Sequence, residues 1–470
     1  MKAWHNYIIM TLRRRRIYFY VFFAVFLTAT PAVILYSQGY TFDFEHSTLT
    51  KTGGIFINIV PKGTNIYIND ILKATTGSLI LSQGKLISRL APNDYTIMAK
   101  KDGYQSWSKK LRVDPQLVTE ARNIFLVPET LDVQEIDTKV HDVVISASGA
   151  AMAYVKENGI AIVDVSSPKI VPLTTEEGER IGRVQFGADE NYLLIDSLVQ
   201  NKNKQSLFNI KTRERIEIKE EDTERFIKIK QYPPGEPKLL ALSTTHTLYA
   251  INLRSQEEKT VIAKNVSTFE LIDGKLLYAT TAPIIIYEKD MNTGSTEQLT
   301  QTPLENIDIS SVILRSGSGH IALLDTKHSL FLYDGNTLTF QRIAENVHSA
   351  SFSDDRKKLA WHNTKNEIYV YYLSNILIQP KKKRGDIDLI TCFSKPITNL
   401  TWFGYDNEHL IFTAEKKMYF IELDGRDRRN THSITDVRQP VKVIYSGYDD
   451  HLYFLDSGVL SRIALIKNNL

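Results

Sequence analysis

The sequence predicts a mainly β protein behind a single N-terminal membrane helix, and three observations carry that expectation. An uninterrupted apolar run, Ile17 to Tyr36, follows directly on Arg13, Arg14, Arg15 and Arg16. Beyond it, short segments rich in Tyr, Phe, Ile, Val and Thr are separated by Pro, Gly, Asn and Asp, the chemistry of strands and turns. From about residue 131 to the end, a phrase of apolar strand, polar turn, apolar strand, polar break and third strand recurs roughly every forty residues.

The helix comes first. About twenty uncharged residues span a hydrocarbon core of roughly 30 Å, and positive charge stays on the cytoplasmic side. The expectation is a basic cytoplasmic tail at 1–16, a transmembrane helix at 17–36, and everything beyond it outside the plasma membrane, in a single-pass topology. A cleaved signal peptide is the competing reading, since Ala29 and Ala32 are small. Against it, Pro31 interrupts the small residues and the run continues to Tyr36.

Charge divides unevenly. The chain carries a formal net +3, but Lys2 and the four arginines account for five positive charges, leaving 52 basic against 54 acidic residues. The part beyond the helix has no basic excess, so nucleic acid is not an expected partner. Cys392 is the only cysteine, which excludes an intrachain disulfide and a thiolate metal cage. Within the apolar phrase 389–393 it reads as a small buried hydrophobe.

Residues 37–53 read as a polar stalk, and 54–128 as a small β-sandwich. Its expected strands are 55–60, 65–69, 85–90, 95–100, 106–113 and 118–127. Junctions fall at Pro61-Lys62-Gly63, Asn69-Asp70, Pro92-Asn93-Asp94 and Asp102-Gly103. The phrase from Ile59 to Asp70, with Pro61, Gly63, Tyr67, Asn69 and Asp70, resembles the PEGA domain of bacterial and archaeal surface proteins. So do Pro92 and Tyr95 in Leu90 to Ile97, and Gly103 and Tyr104 after Lys100-Lys101-Asp102. The Pro-Glu-Gly-Ala of the family name is absent, and Thr76-Gly77 stands where Thr-Pro is usual. The resemblance implies a surface-associated module without catalytic residues. Physically, Gly63 and Gly103 permit unusual backbone angles, Tyr67, Tyr95 and Tyr104 cover a thin core, and Asn93 takes a left-handed turn position.

Residues 131–470 read as a β-propeller. Its repeats begin near Val143, Val184, Phe226, Val266, Ile309, Val347, Ile397 and Val441, which favours eight blades, or seven if the terminal strands merge into one closing blade. Closure removes the exposed strand edge of an open array. The clearest repeat, Ala350 to Trp361 with its Ser353-Asp354-Asp355 turn, resembles the blade phrase of the Tol-system periplasmic propeller and its WD-like relatives.

Chemistry is sparse. The eleven histidines are scattered over turns and strand starts, without metal-ligand spacing. Ser316 to His320 lacks the spacing of a nucleophile elbow and reads as a hairpin. Asp354-Asp355 and Asp449-Asp450 read as turn caps. Pro380 to Gly385, with Lys381, Lys382, Lys383 and Arg384, reads as a solvated loop between the third and fourth strands of a blade. No catalytic, cofactor-binding or metal-ligating residues are assigned, and no cofactor is expected. The expected function is therefore a membrane-anchored envelope protein, not an enzyme, whose propeller recognises or scaffolds a protein or cell-wall polymer. A propeller hydrolase or lyase acting on an envelope polymer, and an extracytoplasmic sensor subunit, remain as alternatives.

Overall fold

The structure, a computed structural model, describes residues 11–43, 48–77, 84–157, 159–165, 167–175, 177–219, 225–255, 259–272, 274–304, 307, 312–315 and 319–466. The chain divides into two compact units, Met1–Leu126 with Arg426–Arg428, and Val127–Gly425 with Arg429–Leu470.

The first unit begins with a helix, Leu12–Ser37, that includes Arg13, Arg14, Arg15 and Arg16 and has no buried residue. At 1.5 Å per residue it runs about 39 Å. Length and hydropathy make it able to cross a membrane. Inside it the Thr28 hydroxyl donates to the Ala24 carbonyl at 3.0 Å, the way a hydroxyl is satisfied where water is absent. The segment read as a stalk contains a hairpin instead, Tyr40–Asp43 paired with Thr48–Lys51. The Thr-rich composition of 48–52 suits a strand even without an apolar run.

Beyond it lie two sheets. Gly53–Val60 is the centre of three strands, antiparallel to Lys85–Leu90 and parallel to Val118–Phe125. The other sheet runs Ile71–Thr75, Asn65–Ile68, Asn93–Lys100, Trp107–Val113, antiparallel throughout. Alternation along the strands sends Ile55, Ile57, Ile66, Ile68, Ile97 and Trp107 into one core. Asn69 and Asp70, at φ 47° and 63°, form the two-residue turn between paired Ile68 and Ile71. That turn needs positive φ at both positions, which Asn and Asp tolerate.

The Thr64 hydroxyl donates to the Pro61 carbonyl at 2.7 Å, Gly63 sits at φ 75°, and Tyr95 donates to the Ala91 carbonyl at 2.9 Å. Tyr104 belongs to the core and Tyr95 packs on its edge, but Tyr67 does not. Its neighbours Ile66 and Ile68 occupy the inner face, so strand alternation turns Tyr67 outward, beneath Lys100 at 5.8 Å. Asn93 starts a strand; the left-handed position before it belongs to Arg89, at φ 62°.

In the second unit the described residues form eight four-stranded antiparallel sheets. Sheets 1 to 7 each use consecutive strands, starting with Val140–Ile145, Glu179–Phe186, Phe226–Gln231, Val266–Ile272, Val312–Arg315, Val347–Phe352 and Asn399–Trp402. Sheet 8 takes Pro440–Ser446, His451–Asp456 and Val459–Ala464 from the end of the chain and its outermost strand, Val133–Thr138, from the beginning. Neighbouring sheets touch in sequence and the innermost strand of sheet 8 meets that of sheet 1, which makes a closed β-propeller. Terminal strands thus share one sheet without lowering the number of sheets. The fifth expected start, Ile309, lies outside the described residues.

Packing follows from closure. Second strands are covered on both faces by adjacent sheets, so Lys358–Asn363 and His409–Ala414 are buried at every position. Outermost strands alternate, and this corrects one expectation: on Ile387–Cys392, Ile390 faces inward and Cys392 is exposed.

Candidate functional site

Between sheets 7 and 8 lies a cavity of about 850 Å³. Three segments wall it: the connection entering sheet 7, which brings Lys395 and Pro396; the turn after His409–Ala414, which brings Glu415 and Lys416; and the entry to sheet 8, which brings Arg438 from the connection and Pro440 from the start of the strand. Each segment is held. The Asp456 carboxylate accepts from the Arg438 and Gln439 amides at 2.9 and 2.6 Å. The Val437 amide donates to the Lys416 carbonyl at 2.9 Å. The Asn399 side chain donates to Thr413 at 3.0 Å and to the Pro440 carbonyl at 3.2 Å.

The turn is the unusual part. Glu415 and Lys416 take φ 52° and 60°, a pair of positions that favours Asn-Gly. The Ser394 hydroxyl donates to Glu415 at 2.7 Å and fixes the turn from the neighbouring connection. Among the described residues no ion pair engages Lys395, Lys416 or Arg438, and one acid, Glu415, lines the cavity beside them. Val441, 61% exposed, adds an apolar wall with the two prolines. The cavity can therefore hold an anionic group against an apolar surface.

A second cavity, about 810 Å³, lies at the ends of the innermost strands of sheets 1 to 4, where Ile145, Phe186, Gln231 and Ile272 converge. Gln231 is a clamp: its carbonyl accepts from the Ala188 amide at 2.8 Å, and its amide donates to the carbonyls of Pro233 and Glu236. Three lysines of the adjoining strands are paired with acids. Lys228 and Lys230 reach the two oxygens of Glu270 at 3.1 and 2.9 Å, and Lys442 reaches Asp142 at 3.2 Å. Burial alone raises the Glu270 carboxyl, but the two lysines outweigh it and hold it below the usual range. Burial pulls Lys228 down.

The histidines are built into strands as well as turns. His362 lies inside a strand, buried, and burial with the adjacent His348 pushes it down to about 4. Burial opposes charge on His409, but Asp406, 2.7 Å away, wins and raises it. Asp449 accepts from Tyr453 at 2.6 Å and pairs with His451 at 3.2 Å. These Asp turns lock strands together. Asp355 accepts from the Ser353 hydroxyl at 2.6 Å, and Asp354 donates its amide to Asn407, in the next sheet, at 2.8 Å. Among the described residues no group of three or more His, Cys, Asp or Glu is placed to hold a metal. Ser316 to Ser318 lie outside the described residues.

Sequence reading singled out none of the cavity cations, because they come from three separate connections. One signal was present: Lys395 and Arg438 each stand two or three residues before a repeat start, Ile397 and Val441, and the starts of adjacent repeats come together when the ring closes.

No family profile matches the chain, and no curated protein does. Solved structures align with much of the chain. The C-terminal WD40 domain of Sif2 aligns at TM-score 0.48 and 12% identity, over 71% of this chain and 98% of that one. BamB from Moraxella catarrhalis aligns at 0.45 and 12%, over 71% and 100%. The dihydro-heme d1 dehydrogenase NirN aligns at 0.46 and 11%, over 63% and 67%.

Proposed function

We propose that this is a single-pass, membrane-anchored protein of a bacterial cell envelope. In this reading the PEGA-like sandwich follows the anchor, and an eight-bladed propeller recognises an anionic protein or wall polymer. It scaffolds rather than catalyses. The observation that carries the reading is the cavity between sheets 7 and 8, where Lys395, Lys416 and Arg438 line an apolar surface with no ion pair among the described residues. Cations left without acids are poor stabilisers of a fold and good steering groups for a charged partner. The apolar helix behind four arginines supports the anchor and its orientation.

The test is site-specific photocrosslinking of the full chain in its own cells, with the crosslinker at Lys416 or, as control, at exposed Lys211. A discrete adduct at Lys416 absent at Lys211 is the expected result. Identical patterns at both positions contradict the assignment.

A further inference from the structure

Sheet 6 differs from its neighbours in one connection. Its third and fourth strands, Glu367–Tyr372 and Ile387–Cys392, are joined by fourteen residues, where sheets 1 to 5 and 7 use two to eight. The insertion is folded. Ile376 and Lys382 exchange backbone hydrogen bonds of 2.9 and 3.1 Å, the Arg384 amide donates to the Asn375 side chain at 2.9 Å, and the Gly385 amide returns to the Tyr372 carbonyl at 2.8 Å. Lys382 is used internally, at 2.6 Å from Asp388 and over the Tyr372 ring.

What remains outward is an apolar tip with a basic flank. Leu377 is 79% exposed and Ile378 47%. Lys381 and Lys383 are exposed, with no ion pair among the described residues, and Arg384 stands 3.6 Å from Asp334. A rigid hairpin does not need two large apolar side chains in water, and an anionic polymer would engage the lysines while leaving that tip wet. A bilayer surface meets both features: apolar tips enter the boundary of the acyl region and cations sit among anionic headgroups.

We propose that the 373–386 hairpin is a second, peripheral membrane contact, inserting Leu377 and Ile378 into a bilayer containing anionic phospholipid with Lys381, Lys383 and Arg384 at the headgroups. It rests on the anchor reading in one respect: a tethered chain holds the hairpin at high effective concentration near the lipid.

The test uses the full chain with Cys392→Ser and Leu377→Cys, labelled with an environment-sensitive fluorophore and reconstituted into vesicles of phosphatidylcholine alone or with phosphatidylglycerol. Emission shifts to the blue and is quenched by spin-labelled lipid when phosphatidylglycerol is present, and Lys381→Glu with Lys383→Glu reverses both. Absence of quenching in the vesicles that contain phosphatidylglycerol overturns the proposal, as does quenching indifferent to phosphatidylglycerol and to charge reversal. A blue shift produced only by added envelope protein also overturns it, in favour of protein docking. The same label at Ile378→Cys covers a poorly folded first variant. Alkaline extraction of the vesicles tests the helix anchor separately: a chain that is extracted yet was quenched fails the anchor and keeps the hairpin.

Discussion

The propeller holds two kinds of cation, and the contrast between them separates structure from recognition. Lys358, 1% exposed, donates to Glu408 at 2.8 Å and to the Asn407 carbonyl at 3.0 Å, tying sheet 6 to sheet 7. Lys228 and Lys230 share Glu270 in the same manner between sheets 3 and 4. Lys395, Lys416 and Arg438 lie exposed around a cavity with no such partners among the described residues. Where these lysines are drawn into the contact between two sheets, the neighbouring sheet supplies a carboxylate; where none is supplied, the charge is available to something else.

Removing a buried member should show the largest effect. Lys358→Ala leaves Glu408 without its cation inside the sheet 6–7 contact and destabilises the protein by about 3 kcal/mol, read from the thermal melt. Glu270→Gln should cost less, about 2 kcal/mol, because the two lysines are part-exposed. A melt as stable as the parent for either variant would erase the distinction from the structural side.

Acid sharpens the contrast by another route. His362 is held down at about 4 by burial and by His348, against an ordinary 6.5, so the folded state prefers it neutral. Its contribution is fully present well above pH 6.5 and is lost as pH falls toward 4, the loss reaching about 1 kcal/mol at pH 6. His362→Gln should flatten this acid dependence in melts taken between pH 7 and 5. His409, raised by Asp406, works in the opposite sense, its contribution fading as pH rises. Single alanine substitutions at Lys395, Lys416 or Arg438 should fall at the small end, within about 0.5 kcal/mol.

Much of the architecture was legible because it is local. Turn residues such as Asn69-Asp70 and Ser353-Asp354-Asp355 announce themselves, and repeat spacing marked eight starts where eight sheets stand. What escaped depends on facing. Tyr67 and Cys392 were each assigned inward, yet alternation gives the inner face to Ile66 and Ile68 in one case and to Ile390 in the other. The parallel pairing of Gly53–Val60 with Val118–Phe125 escaped as well, since nothing local encodes a partner so distant in sequence. The pairing of Tyr40–Asp43 with Thr48–Lys51 was hidden by the polarity of these strands. The candidate site was the least legible, because its cations converge only after the ring closes.

The most direct test of the central claim is the triple variant Lys395→Glu, Lys416→Glu, Arg438→Glu in the full chain, melted and then used for capture from its own envelopes beside the parent. The account predicts an unchanged melting temperature and loss of whatever the parent retains. Undiminished capture, or a melt that collapses as for Lys358→Ala, would contradict it.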